Sequence, residues 1–288
     1  MRNAECGMRS GSDGGPAPEP ASRIEPGCSI SHSALRIPHL GGAGMSGRWL
    51  AIDTATDIAS VAVGTGATVL AGTHAQGARR HAAEILRLVD FVLTRAAARL
   101  ADLDGIVLGD GPGSFTGLRI GWATAKGLAQ EKGLEVRAVP SLLAAAAGAA
   151  VRLGAVPIAA CFDALRGQVY GAVYVIHADR VETLVAPAVV TVTELARLTP
   201  VQPQLVVGDG AVRYAGDVSA WVSAAPVPLD QLPLAATTLL ALVERAGAAR
   251  LIDDLATAEP VYGRPAEAQA RWEARHGRPL PDPSRPAR

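Results

Sequence analysis

The sequence has 288 residues, with 27 Lys or Arg balanced by 27 Asp or Glu, so its formal net charge is zero and its pI is near 7.0. That length holds one large or two small domains. The balanced charge lacks the basic excess that usually marks a nucleic-acid-binding domain. No stretch approaches the roughly 18 uninterrupted apolar residues of a membrane span, and no basic region leads into an apolar core at the start. The sequence therefore reads as soluble and cytoplasmic, with neither membrane nor DNA among its partners. Cys6, Cys28 and Cys161 stand far apart with no CxxC pair, so neither a zinc knuckle nor a disulfide framework is readable.

Residues 1–48 are rich in Gly, Ser, Pro and Ala and carry no sustained period of 2 or 3.6. Such a segment cannot bury enough apolar surface to offset its ordering entropy. It is expected to be a disordered extension or a start read too early, with the working protein beginning near Met45. From Trp49 the texture changes, and strands are expected at 49–52, 58–63 and 68–72. Two tight reversals in so short a stretch mean an antiparallel meander. Residues 81–100 place Ala82, Ile85, Leu86, Val89, Val92, Leu93, Ala96 and Leu100 at helical spacing. A buried strand at 103–108, a helix at 116–132 and a strand at 135–139 follow, the last stopped by Pro140.

After an Ala-rich helix at 141–153 a similar order starts again. It has strands at 156–162, 168–176 and 180–185, a helix at 192–198, a strand at 205–208 and a helix at 235–246. Two copies of a meander with crossover helices imply two stacked α/β lobes, 49–150 and 151–264, with a cleft between them. Residues 265–288, dense in proline, are expected to form an exposed tail.

The most distinctive segment is Gly109-Asp110-Gly111-Pro112-Gly113-Ser114-Phe115-Thr116-Gly117-Leu118-Arg119-Ile120-Gly121, between a buried strand and a helix. Converging amides and a helix N-terminus could hold a phosphate there, with Gly111, Gly113 and Ser114 as its ligands. The spacing fits neither a Walker A loop nor a dinucleotide fingerprint. The structural alternative is a strand-to-helix turn whose glycines, with Gly117 and Gly121, let the helix pack tightly on the sheet. Asp53-Thr54-Ala55-Thr56 ends the first strand, where a carboxylate and two hydroxyls could meet hydrated Mg²⁺ and phosphate oxygens. The alternative is a turn that only satisfies backbone amides, and Ala55, standing where close phosphate approach wants glycine, favours it. Gly208-Asp209-Gly210 is the other candidate phosphate loop. Ser114 has no GxSxG frame, so a serine hydrolase is not supported. Asp163 and Arg166 are read as a structural ion pair on a hairpin facing the cleft. No HxxxH pair offers a metal site.

Four segments resemble the TsaB (YeaZ-type) family of the bacterial machinery that installs threonylcarbamoyladenosine on tRNA. They are Leu50-Ala51-Ile52-Asp53-Thr54-Ala55-Thr56, His81-Ala82-Ala83-Glu84-Ile85-Leu86, Gly111 through Gly121, and Asp163-Ala164-x-Arg166-Gly167-x-Val169-Tyr170. The resemblance runs from about Trp49 to Tyr262 and implies an actin-like, RNase H-like two-lobed α/β fold with tandem βββαβα lobes, of the ASKHA superfamily. It also implies a degenerate paralogue of the catalytic subunit TsaD. Where that paralogue carries Val-His-His-x-x-x-His, this chain reads Val139-Pro140-Ser141-Leu142-Leu143-Ala144-Ala145, and neither Ser141 nor Ala145 replaces an imidazole ligand.

The implied role is therefore a non-catalytic subunit that binds TsaD, with the ATPase TsaE as a further partner, tRNA engaged indirectly, and a homodimer formed when the chain is alone. It implies no catalytic residue, no metal and no cofactor of the chain's own, with ATP or ADP and Mg at the complex interface left open. The implied interface lies on the first two helices, on Ile85, Leu88, Val89, Val92, Leu93, Leu118 and Trp122. An actin-like Mg-ATP phosphotransferase or ATPase built on Asp53 and the glycine loop is the alternative. The Val261-Tyr262-Gly263-Arg264 stretch departs from the family's Tyr-Leu-Arg ending by Gly263.

Overall fold

The computed structural model describes residues 35–36, 47–77, 81–264 and 275–277. The extension and the Pro-rich tail expected from the sequence lie almost wholly outside these residues. Among the described residues no helix is long and apolar enough to cross a membrane.

The first sheet grows from Arg48–Asp53 (β2), Ile58–Thr65 (β3) and Thr68–Gln76 (β4), a meander with both junctions antiparallel. Leu35–Arg36 (β1) pairs with the outer edge of β4. Gly105–Gly109 (β5) runs parallel to β2, Glu135–Val139 (β6) parallel to β5, and Arg250–Leu251 (β11) closes the far edge antiparallel. The order is β1-β4-β3-β2-β5-β6-β11. β2 is buried on both faces, with Trp49 and Ala51 in one core cluster and Leu50 and Ile52 in another, as a period of two requires. Gly105 makes room for this strand, because a Cβ there would stand 2.7 Å or less from the Trp49 indole.

The second sheet repeats the plan. Pro157–Asp163 (β7), Val169–Ile176 (β8) and Val181–Val190 (β9) form an antiparallel meander, and Leu205–Val207 (β10) runs parallel to β7, giving the order β10-β7-β8-β9. The four strands stand to one another as β5, β2, β3 and β4 do in the first lobe. This is the RNase H-like order, used twice.

Helices fill three layers. His81–Arg95 (α1) and Phe115–Lys132 (α2) cover the outer face of the first sheet with Ile85, Val92, Trp122 and Ala125. Val192–Leu198 (α4), Asp209–Arg213 (α5) and Ala215–Val222 (α6) cover the outer face of the second through Val192, Leu195, Ala211 and Val218. Between the sheets lie Ser141–Leu153 (α3) and Ala235–Leu242 (α7), packed on each other. A helix buried all round needs small apolar side chains, and Ser141 through Ala150 of α3 are all buried.

Several elements differ from the sequence reading. α1 stops at Arg95, where Ala97 turns left-handed at φ 48° and Ala98 donates to the Leu93 carbonyl, and a short 3-10 turn at Leu100–Asp102 follows. β4 and β9 run on to Gln76 and Val190, and α7 ends at Leu242. α5, α6 and β11 have no counterpart in the expected elements. The lobes are also not consecutive in the chain, since α7 packs on β2 and β3 and β11 pairs with β6, so the chain returns to the first lobe after building the second.

One fully buried hydroxyl fastens this return: Ser60 Oγ on β3 accepts the Ala236 N–H in the first turn of α7, at 3.1 Å. Ser60→Ala should lower the unfolding free energy by about 1–3 kcal/mol by leaving a buried amide unpaired. Urea unfolding at constant m-value measures it.

Candidate functional site

The segments singled out by the sequence meet at the C-terminal ends of β2 and β5. Asp53 is 2% exposed. Its Oδ2 accepts the Ser141 hydroxyl at 2.7 Å and its Oδ1 accepts the Ala55 N–H at 3.2 Å. Ser141 Oγ in turn accepts the Gly111 N–H at 3.2 Å, while the Ser141 N–H donates to the Gly111 carbonyl. One carboxylate and one hydroxyl thus join β2, the glycine loop and the start of α3.

The glycines serve close approach between these pieces. A Cβ on Gly109 would collide with Asp53 Oδ2, on Gly113 with the Ala55 carbonyl, on Gly117 with the Thr54 carbonyl, and on Gly121 with Thr54 Oγ1. Thr54 is buried, and its hydroxyl donates to the Gly117 carbonyl at 2.8 Å. Ser114 is the N-cap of α2, its Oγ accepting from Gly117 N and its own N–H donating to Ala55 O. Of the proposed phosphate ligands, Asp53, Thr54, Gly111 and Ser114 therefore have polar groups engaged inside the chain, and Gly113 lies against Ala55. These contacts are those of a tight strand-to-helix turn. Among the described residues no three His, Cys, Asp or Glu side chains gather as metal ligands.

The second lobe has the same joint. Gly208-Asp209-Gly210 stands at the end of β10 as Gly109-Asp110-Gly111 does at the end of β5, and Cβ atoms on Gly208 and Gly210 would strike the backbone of Cys161 and Phe162. The Asp163 N–H donates to Asp209 Oδ1 at 3.3 Å. The expected Asp163–Arg166 ion pair is not formed, because Arg213 on α5, an element unread in the sequence, reaches Asp163 at 2.9 Å. Cys161 is a buried thiol pushed up to about 12 by desolvation and, to a smaller degree, by Asp209, so it is an inert core residue.

The expected interface residues are placed differently from the reading. Ile85, Leu88, Val89, Val92, Leu118 and Trp122 are buried in the chain's own core, Val92 and Leu118 with no exposed surface, and Leu93 is partly buried against it. α1 looks too apolar for one buried face because it packs on both β3–β4 and α2. The open apolar position on α1 is Leu86, 60% exposed, beside exposed Ala82, Ala83 and Asp90. On α2, Thr116, Ala123 and Gly127 are exposed and Ile120 is partly so.

Burial raises the Asp53 carboxyl above its ordinary value, against smaller lowering effects of the Ser141 hydroxyl, the Ala55 amide and the charge of His81. A carboxyl whose folded pKa exceeds its unfolded value stabilises the fold below the unfolded pKa and loses that contribution as pH rises through the folded one. Asp53→Asn should therefore narrow the stability difference between pH 5 and pH 8, read by denaturant unfolding at both. Gly109→Ala, which pushes a methyl into the Asp53–Ser141 bond, should destabilise by about 1–3 kcal/mol.

A family model described as TsaD, tRNA N6-adenosine threonylcarbamoyltransferase, matches residues 73–227. The chain is 39% identical over 149 residues to the tRNA threonylcarbamoyladenosine biosynthesis protein TsaB of Escherichia coli (strain K12), covering 50% of this chain and 64% of that protein. It is 37% identical over 125 residues to the protein of the same name in Bacillus subtilis (strain 168), covering 43% and 54%. The aligned part thus spans between half and two thirds of these curated relatives. Among solved structures it is similar to a Pseudomonas aeruginosa protein described as resembling peptidase YEAZ, with TM-score 0.62 and 30% identity, covering 76% of this chain and 100% of that one. YeaZ from the same organism gives TM-score 0.59 at 30% identity, over 68% and 90%.

Proposed function

This chain belongs to the TsaB (YeaZ-type) family, and on that premise we propose that it is a non-catalytic partner subunit in the formation of threonylcarbamoyladenosine on tRNA. It binds TsaD and so supports transfer of the threonylcarbamoyl group to the adenosine beside the anticodon. TsaE joins that assembly, and any ATP or ADP with Mg is held where the subunits meet rather than by this chain alone.

The observation that carries the non-catalytic part is the state of Ser141. At the position of the paralogue's first ligating histidines, its hydroxyl donates to Asp53 and accepts from Gly111, both inside the chain. Ala145, four residues on, is buried and has no donor atom to offer. This donor set does not fit a transition metal, and Asp53 is too enclosed to meet Mg²⁺ and phosphate as the alternative ATPase would need.

The partner surface is the open side of α1 and α2, centred on Leu86 with Leu93, Ile120 and Ala123, rather than the buried stripe. An exposed leucine one turn after two exposed alanines on one helix, beside small residues on the next, lets a partner helix lie close. The full chain mixed with the TsaD of its own cell should elute as a one-to-one complex in size-exclusion chromatography with light scattering. Leu86→Arg should abolish that complex, and any homodimer of the chain alone, while circular dichroism stays native. A Leu86→Arg chain that binds TsaD normally would refute this surface.

A further inference from the structure

Among the described residues, positive charge without a carboxylate partner gathers at the mouth between the lobes. After β11 the chain returns to the mouth between the lobes as a strap at 261–264. Val261 donates its N–H to the Asp110 carbonyl, and Tyr262 packs on Phe115 with ring centroids 4.6 Å apart. Gly263, at φ 71°, passes where a Cβ would stand 2.7 Å from the Tyr170 ring and 2.9 Å from Pro112. Arg264 then donates to Gln168 Oε1 on the second lobe's hairpin.

Two arginines meet the strap at this mouth, and a third stands on the hairpin two residues before Gln168. Arg119 of α2 lies 4.2 Å over the Phe115 ring and donates from Nε to the Tyr262 hydroxyl at 3.2 Å. Arg264 comes from the strap. Arg166 stands exposed on the hairpin, where it and Leu165 adopt φ of 55° and 61°, a conformation side-chain-bearing residues resist. Among the described residues none of the three has a carboxylate partner. The acids beside them are committed elsewhere: Asp163 to Arg213 at 2.9 Å, Asp110 to Arg250 at 2.9 Å, and Asp209 to the Asp163 amide.

We infer that this mouth is a direct RNA contact, with the three guanidinium groups on backbone phosphates and the half-exposed Phe115 and Tyr262 rings beside them as a stacking face. Guanidinium donors in a planar fork match phosphate oxygens, and Arg119 is already held over the Phe115 ring and by the Tyr262 hydroxyl, so little of its freedom is lost on binding. Aromatic rings interleaved with unpaired arginines suit unstacked bases of single-stranded RNA. The inference rests on the proposed role in tRNA modification, and it places a tRNA contact on this chain instead of leaving contact to its partners.

The test is tRNA binding by the full chain in complex with TsaD, measured across a salt series. The combined substitution Arg119→Gln, Arg166→Gln, Arg264→Gln should weaken binding by about tenfold or more and reduce the slope of log affinity against log salt by about 2 to 3, since each lost phosphate contact removes about 0.7–0.9. The corresponding triple Lys variant should keep the slope. Unchanged affinity and slope in the Gln variant would overturn the inference. So would unchanged tRNA binding with lost association to TsaD or TsaE, which would assign the patch to an acidic protein face. Threonylcarbamoyladenosine formation by the wild-type mixture, measured in parallel, separates the two claims. Modification without any effect of the Gln variant sinks this inference alone, and a wild-type mixture that neither binds nor modifies tRNA sinks the proposed function with it.

Discussion

The hydrogen bond from Ser141 to Asp53 holds together pieces of chain 88 residues apart. Through Asp53 it fixes the end of β2, through Gly111 the loop after β5, and through its own backbone the start of α3, the helix on which the two lobes meet. A buried carboxylate is tolerated only with such partners. Each glycine around it follows as a steric condition, because Gly109, Gly113, Gly117 and Gly121 all sit where a methyl would enter the joint. The glycines of the most distinctive stretch of the sequence therefore each have a packing reason.

The same constraint recurs in the second lobe of this two-lobed fold. The lobes are repeats, down to the Gly-Asp-Gly that follows β5 and β10. In both, the carboxylate ending the first strand is engaged within the chain, Asp53 by the Ala55 amide and the Ser141 hydroxyl, Asp163 by the Leu165 amide and Arg213. What the chain then presents outward is surface: Leu86 and its small neighbours on α1 and α2, and the arginines framing the strap.

Much of this was legible in the sequence, and the failures have identifiable causes. β6, α3 and α4 match the expected bounds because Pro140, the alanine run and the Thr191 capping box punctuate them strongly. α5, α6 and β11 are too short to carry a period, and β11 exists only because β6 offers it an edge. The width of the apolar stripe on α1 was readable, but periodicity cannot say whether its second face meets a partner or α2 of the same chain. The glycine loop admitted a phosphate or a tight turn equally, since both need glycine, and the sequence could not show that Thr54 and Ala55 press against it. The arginines at the mouth are not legible in the sequence because net charge averages over the molecule, while the strap brings Arg119 and Arg264 together from distant parts of the chain.

The central claim is that the Asp53–Ser141 joint is architecture rather than chemistry. It is tested most directly by the rate of threonylcarbamoyladenosine formation in a reconstituted mixture of TsaD, TsaE and this chain carrying Asp53→Asn. The account requires an unchanged rate wherever the variant remains folded and bound to TsaD. A loss of about 10²-fold or more, the scale expected when an acid, base or metal-binding carboxylate is removed, in a variant that still folds and still binds TsaD, would contradict it.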